Sequence, residues 1–256
     1  MIGDIVGRPG RTIVRQLLPQ IIKDYEIDFV IANGENAAGG NGITQKTAQE
    51  LFISGIDFIT TGNHVWDNKD VFNIINEEPR IIRPANYPVG TPGKGYQTLI
   101  FKNYLPITII NLSGRTFMPA LDCPFKTVEN ILAKVENDSK IIVVDFHAEA
   151  TSEKLAMGWF LDGRVSLVAG THTHVQTADE RIFPNGTGYI TDLGMTGPSD
   201  SILGVNKDKV IQKFLTQLPV KFEVAKGPMQ LNAIVVDIDE KTGKTISIER
   251  IFIRQS

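Results

Sequence analysis

The sequence predicts an α/β fold in which helices pack on a mixed sheet system, and three observations carry that expectation. Short apolar runs of strand length, such as Ile141 to Val144, alternate with segments of helical periodicity. Polar loops rich in Gly and Asn stand at the junctions, among them Asn33-Gly34-Glu35-Asn36 and Gly62-Asn63-His64. From Val220 onward the chain reads as strands alone.

The elements follow in order. Arg11 to Tyr25 carries Ile13, Leu17, Leu18, Ile21 and Ile22 at helical spacing after Pro9-Gly10, and Pro19 within it predicts a kink or a break. Phe29 to Ala32 is a strand. Thr44 caps a helix that runs to Ser54. Phe58 to Thr61 is the next strand, and another helix starts near Asn68. Gly95 to Phe101 and Pro106 to Leu112 read as strands around a turn at Asn103. Pro124 to Glu136 is helical, Ile141 to Phe146 is a buried strand ending at His147, and Ser152 to Leu161 is a helix. Val165 to Ala169 is a strand leading into Gly170-Thr171-His172-Thr173-His174. A helix at Lys207 to Gln217 precedes strands at Val220 to Val224, Gln230 to Asp237 and Thr245 to Ile253. No repeat, low-complexity tract or linker divides the chain, so residues 1–256 are expected to form one domain.

Composition narrows the function classes. The formal charge of -3 argues against binding a long nucleic acid by charge alone. With Cys123 as the single cysteine, no intrachain disulfide can form, which suits a reducing compartment; a cytoplasmic location is expected. The start shows no charged leader before an apolar stretch, and no apolar run approaches the length that spans a bilayer.

The four histidines carry the chemistry. His64, His147, His172 and His174 each follow closely after an apolar strand-like run, and so does Glu35. In open α/β sheets, sites gather beyond the carboxyl ends of strands. A lone loop histidine is more often a hydrogen-bonded surface or core residue than a ligand, Asp4 alone fits a turn or a cap, and Glu35-Asn36 alone fits a polar loop. His172-Thr173-His174 is a stronger signal, because residues two apart in an extended segment face the same side. Taken together, Asp4, Glu35, Asn63, His147, His172 and His174 form a mixed oxygen and nitrogen donor set without thiolate, which suits manganese, iron or zinc. Six protein ligands exceed the three typical of one open catalytic ion, so two ions sharing Glu35 are expected.

At these residues the sequence resembles the calcineurin-like metallophosphoesterase superfamily. The carriers are Gly3-Asp4, Gly34-Glu35-Asn36, Gly62-Asn63-His64-Val65-Trp66-Asp67, Phe146-His147-Ala148-Glu149 and Gly170-Thr171-His172-Thr173-His174. Val6 replaces the histidine of the superfamily's Asp-x-His, Glu35 stands for the usual bridging Asp, and Thr171 is an extra residue before the final pair. Only Met1 and Ile2 precede Gly3, where the family has a longer first strand. The departures, with Arg83-Pro84-Ala85-Asn86-Tyr87-Pro88, Asn111-Leu112-Ser113-Gly114-Arg115 and Asp192-Leu193-Gly194-Met195-Thr196-Gly197-Pro198, resemble the YmdB-like branch.

The resemblance implies a four-layer α-β-β-α sandwich with the metal site at strand C-terminal ends. It implies hydrolysis of 2′,3′-cyclic nucleotides by attack of a metal-activated water on phosphorus. Apart from the resemblance, short RNA ends are a further candidate substrate and a second copy of the chain (a homo-oligomer) is a candidate partner. By the same resemblance, Asp4, Glu35 and His174 hold one divalent or trivalent ion, and Glu35, Asn63, His147 and His172 hold the other. Asn36 supports the first ion or the substrate. His64 is the candidate general acid, with Asp67 either orienting it or capping the following helix. Arg8, Arg115 and Lys154 are candidate phosphate contacts, although each such residue is more often a solvated charge. Trp66 and Phe117 are candidates to stack on a base. Rival readings are a metal hydrolase of another bond, such as an amidase, and a non-catalytic nucleotide-binding regulator.

Overall fold

The computed structural model describes residues 1–102 and 104–255, so the turn expected at Asn103 lies outside the described residues. In chain order the elements are β1 (Asp4–Ile5), α1 (Gly7–Asp24), β2 (Ile31–Asn33), α2 (Gln45–Ile53), β3 (Phe58–Thr60), a 3-10 turn (Lys69–Asn73), β4 (Tyr96–Phe101) and β5 (Leu105–Ser113). They continue with α3 (Pro124–Val135), β6 (Ile141–His147), α4 (Thr151–Leu161), β7 (Leu167–Thr171), β8 (Arg181–Ile182), β9 (Gly188–Ile190), β10 (Met195–Pro198), α5 (Lys207–Thr216), β11 (Met229–Ile238) and β12 (Thr245–Gln255).

Both sheets are mixed. The larger has the order β4-β5-β6-β7-β9-β8, with β5, β6, β7 and β9 parallel and an antiparallel strand at each edge. Its centre, β6, is buried along its whole length, as expected for a parallel strand covered on both faces. The second sheet has the order β1-β10-β11-β12. The parallel pair β2-β3 joins it through Ile2, which bridges Ala32 on one side and Ala233 on the other.

Three apolar clusters hold these parts. Ile13, Val14 and Leu18 of α1 pack with Ala48 and Leu51 of α2 against Ala32, Leu231 and Ala233 of the second sheet. Val128, Ile131 and Leu132 of α3 pack with Met157 and Leu161 of α4 against Val144, Phe146 and Val168 of the larger sheet. Ile31, Phe58 and Ile234 meet Ile107, Ile109, Val143 and Ala169 in a cluster drawn from both sheets.

Several expectations need correction. Helix α1 starts at Gly7, so Arg8 lies in its first turn rather than in a loop. Pro19 does not divide the helix: Arg15 and Pro19 are both exposed, so water can satisfy the carbonyl that Pro19 leaves free. The 220–224 segment is not a strand; only Val224 makes an isolated bridge, to Val205. Strands β1, β8, β9 and β10 have no counterpart in the sequence reading, because two to four residues are too few to show a period. Thr44 does cap α2, through a capping box with Thr47. Asn68, not Asp67, caps the 3-10 turn.

Candidate metal centre

The strands bring the predicted donors to one end of the molecule. Asp4 lies in β1; Glu35 and Asn36 follow β2; Asn63 and His64 follow β3; His147 ends β6; His172 and His174 follow β7. Glycine makes the close approach feasible. A Cβ at Gly3 would strike the Gly194 carbonyl, and a Cβ at Gly62 would strike His147 Nε2 and Glu35 Oε2.

His147 Nε2 is the hub. It lies 3.0 Å from Glu35 Oε1, 2.9 Å from Asn63 Oδ1 and 3.1 Å from His172 Nδ1. Glu35, His147 and His172 offer ligand atoms close enough together to share one ion. A second group adjoins it. His174 Nε2 is 3.8 Å from Asp4 Oδ1 and 3.2 Å from Asn36 Nδ2, while Asn36 Nδ2 also sits 3.3 Å from Glu35 Oε1. Asp4 is fully buried and its Oδ1 has no hydrogen-bond partner, one of two such side-chain atoms among the described residues. A buried carboxylate oxygen without a donor is costly unless a cation faces it.

The tautomers follow from the hydrogen bonds. The Thr171 hydroxyl lies 2.6 Å from Asp145 Oδ1, to which it donates its one proton. It therefore accepts from His147 Nδ1 at 2.9 Å, which leaves Nε2 as the ring atom of His147 that points inward. His172 Nε2 lies 3.1 Å from Glu149 Oε2, and its Nδ1 faces the hub. His174 Nδ1 donates to the Leu203 carbonyl at 3.0 Å, which leaves the Nε2 lone pair facing Asp4. Three imidazoles thus have an oxygen behind and a ring nitrogen in front, the arrangement that suits a cation once the inner nitrogens give up any proton.

The acids around His147 favour a proton on its Nε2, which a bound cation would displace. Burial pulls His147 down, but Glu35, Asp4 and Asp145 outweigh it and push it up to about 9. Burial raises Glu35, yet the charge and hydrogen bond of His147, with His64, hold it at about 2. Asp4 is pushed up to about 6 by burial, against the pull of His174 and His147. His172 is pulled down to about 3 by burial and then by the positive charge of His147, so it stays neutral and free to ligate.

His172 and His174 do not alternate along an extended segment as expected. Their φ angles are +94° and +65°, so each ring reaches the centre from a left-handed turn. Asp192 fixes this turn. Its Oδ2 accepts from the Thr173 amide at 3.1 Å and the Thr173 hydroxyl at 2.7 Å, and Lys154 Nζ binds it at 2.6 Å. Lys154 is 1% exposed, so its charge is committed to Asp192 and not open to a phosphate. Arg8 and Arg115 are exposed; the Arg115 amide is held by Glu153. His64 Nδ1 lies 2.7 Å from Asp67 Oδ2, and its backbone amide donates to Glu35 Oε2 at 3.1 Å. Trp66 stacks on Phe72 and meets Tyr87 edge-on, which makes it a packing residue, whereas Phe117 is 91% exposed with φ +61°.

Sequence reading missed the outer partners Glu149, Thr171, Asp145 and Asp192. Asp145 left a signal, since it is an acid inside an otherwise apolar strand. Fully buried, it accepts from Asn33 Nδ2 at 3.1 Å and from Thr60 Oγ1 as well as from Thr171.

Comparisons with known proteins show the family of the chain. The family model described as YmdB-like protein matches residues 1–251. The chain is 53% identical over 252 residues to the 2′,3′-cyclic-nucleotide 2′-phosphodiesterase of Bacillus subtilis (strain 168), covering 98% of this chain and 95% of that protein. A crystal structure of a novel phosphatase from Mycoplasma pneumoniae is similar with a TM-score of 0.94 at 38% identity, covering 99% of this chain and 92% of that one. The crystal structure of a hypothetical protein from Thermus thermophilus is similar with a TM-score of 0.93 at 40% identity, covering 100% of this chain and 98% of that one. With matches in sequence and structure that run nearly end to end, the chain belongs to the YmdB-like protein family.

Proposed function

We infer that this chain is a metal-dependent phosphodiesterase that hydrolyses 2′,3′-cyclic nucleotides. The observation that carries the reading is the convergence of three inward ring nitrogens, each with an oxygen behind its ring, on the buried Glu35 and the unpartnered Asp4 Oδ1. The name of the Bacillus subtilis relative supports the substrate class. In this reading Asp4, Glu35 and His174 hold one ion, with Asn36 beside them, and Glu35, Asn63, His147 and His172 hold a second. Iron or manganese suits the donors best, and zinc is also compatible. Two cations there supply Lewis acidity, which neutralises phosphoryl oxygens and lowers the pKa of a water.

The chain's own groups do the rest. Glu35 and Asp4 bring the negative charge that a pair of cations needs. Asp67 holds the His64 ring through Nδ1, so that His64 can hand a proton from Nε2 to the departing ribose oxygen. Arg8 and Arg115 are the exposed cations we assign to the outer phosphate oxygens. The same reading takes the chain as one domain in a four-layer α-β-β-α order, which the two helix-facing clusters and the cluster between the sheets support.

The test pairs elemental analysis with turnover of 2′,3′-cyclic AMP in manganese. The purified protein is expected to carry metal and cleave the ester. His64→Ala should keep its metal and lose roughly 10²–10⁴-fold in kcat. A metal-free protein at full activity, or an unchanged His64→Ala variant, would refute the reading.

A further inference from the structure

A cleft of about 350 Å³ opens beside His174, between the 174–176 segment, the loop carrying Ser199 to Leu203, and the paired strands β11 and β12. Strand register explains its chemistry. Gln230, Asn232 and Ile234 share one face of β11, opposite Arg254, Phe252 and Arg250 of β12. Ile234 on that face belongs to the cluster between the sheets, so the same face carries on past the apolar interior and becomes polar where the sheets part. Strand β10 runs parallel to β1 and β11 antiparallel to both, so the first residues of β11 lie at the end of the sheet toward which β1 runs. That is the end where the metal-capable donors gather.

The lining is unlike a solvent groove. Asn232 is 2% exposed, and its Oδ1 is the other buried side-chain atom without a partner among the described residues. Gln230 is 8% exposed on the same wall. Phe252 stands 52% exposed at the rim, with the Arg254 guanidinium 4.9 Å from its ring centre. Arg250 is paired with Glu180 at 2.7 Å, which spends much of its charge. Two amides with donors and acceptors, an orphaned acceptor and an open aromatic ring match the hydrogen-bonding edge and flat face of a heterocyclic base. They match a phosphate less well, because an amide oxygen repels it.

The geometry points to this cleft as the subsite for the nucleobase of the substrate, with Gln230 and Asn232 reading its edge and Phe252 stacking on its face. The inference rests on the cyclic-nucleotide reading above and adds the residues that set preference among nucleosides. It also moves base recognition away from Trp66, whose faces are taken up by packing.

The test uses the metal-loaded full chain and its Gln230→Ala and Phe252→Ala variants. Two substrates are compared: 2′,3′-cyclic AMP, and bis(p-nitrophenyl) phosphate, which has no base or ribose. Each variant should raise KM for the cyclic nucleotide about tenfold while its kcat moves less, the size expected for loss of one base contact. The ratio of the two substrates' kcat/KM values should fall by about the same factor. If both variants keep the wild-type ratio, the cleft is not the base subsite, and the activity reading stands untouched. If the wild-type protein cleaves the base-free diester and no 2′,3′-cyclic nucleotide, the activity reading fails, and the base subsite fails with it.

Discussion

Behind each inward-facing imidazole stands an oxygen: the Thr171 hydroxyl for His147, Glu149 for His172 and the Leu203 carbonyl for His174. Thr171 is the most exacting, because its hydroxyl must donate to Asp145 in order to accept from His147. Thr171→Val removes both bonds while keeping the shape, and should weaken metal binding by about 10–100-fold, measured by competition with a chelator. Wild-type affinity in that variant would mean that the tautomer is set elsewhere. Glu35 is a different case, since its Oε1 faces His147 and Asn36 while its Oε2 receives the His64 amide. Glu35→Gln should cost metal content and lower the rate by roughly a hundredfold or more, because one side chain serves both proposed ions.

At the scale of elements, the segment from His172 to His174 is held from below by Asp192 and, behind it, by Lys154 of α4. Lys154→Met leaves the Asp192 charge buried and unpaired, and should destabilise the fold by about 3–5 kcal/mol in a denaturant melt. It should also lower metal occupancy, because the turn loses its anchor; an unaltered melting curve would show that Asp192 is satisfied without the lysine. This element also marks where sequence reading stops. The helices and the long strands are legible because their apolar periods run for many residues, as in α3, β6 and β11. The donors are legible because Gly-Asn-His and Thr-His-Thr-His stand just beyond such strands. The four short strands are not, since their register comes from partners distant in sequence, such as Asp4 opposite Met195. Lys154 is misread for a related reason: nothing near Ser152 to Leu161 announces that a buried aspartate 38 residues further on will claim its charge.

For the whole molecule, the donors are divided between the two sheets. Asp4, Glu35 and Asn63 come from one; His147, His172 and His174 come from the other. Any cation bound among them ties the sheets together at that end. Saturating metal at about a hundred times its Kd should raise the melting temperature by roughly 5–10 °C, and a chelator should reverse the gain. A melting temperature indifferent to metal would mean that no ion binds the native state at these side chains.

The partner of β1 arrives late. Asp4 and Ile5 pair with Met195 and Thr196, and Ile2 reaches Ala32 and Ala233, so the opening residues are seated only after most of the chain exists. During synthesis, Asp4 and Glu35 leave the ribosome long before the histidines and the returning strands that enclose them. The candidate metal centre is therefore among the last regions to close. A growing chain leaves these two carboxylates in water until its end has folded back over its beginning.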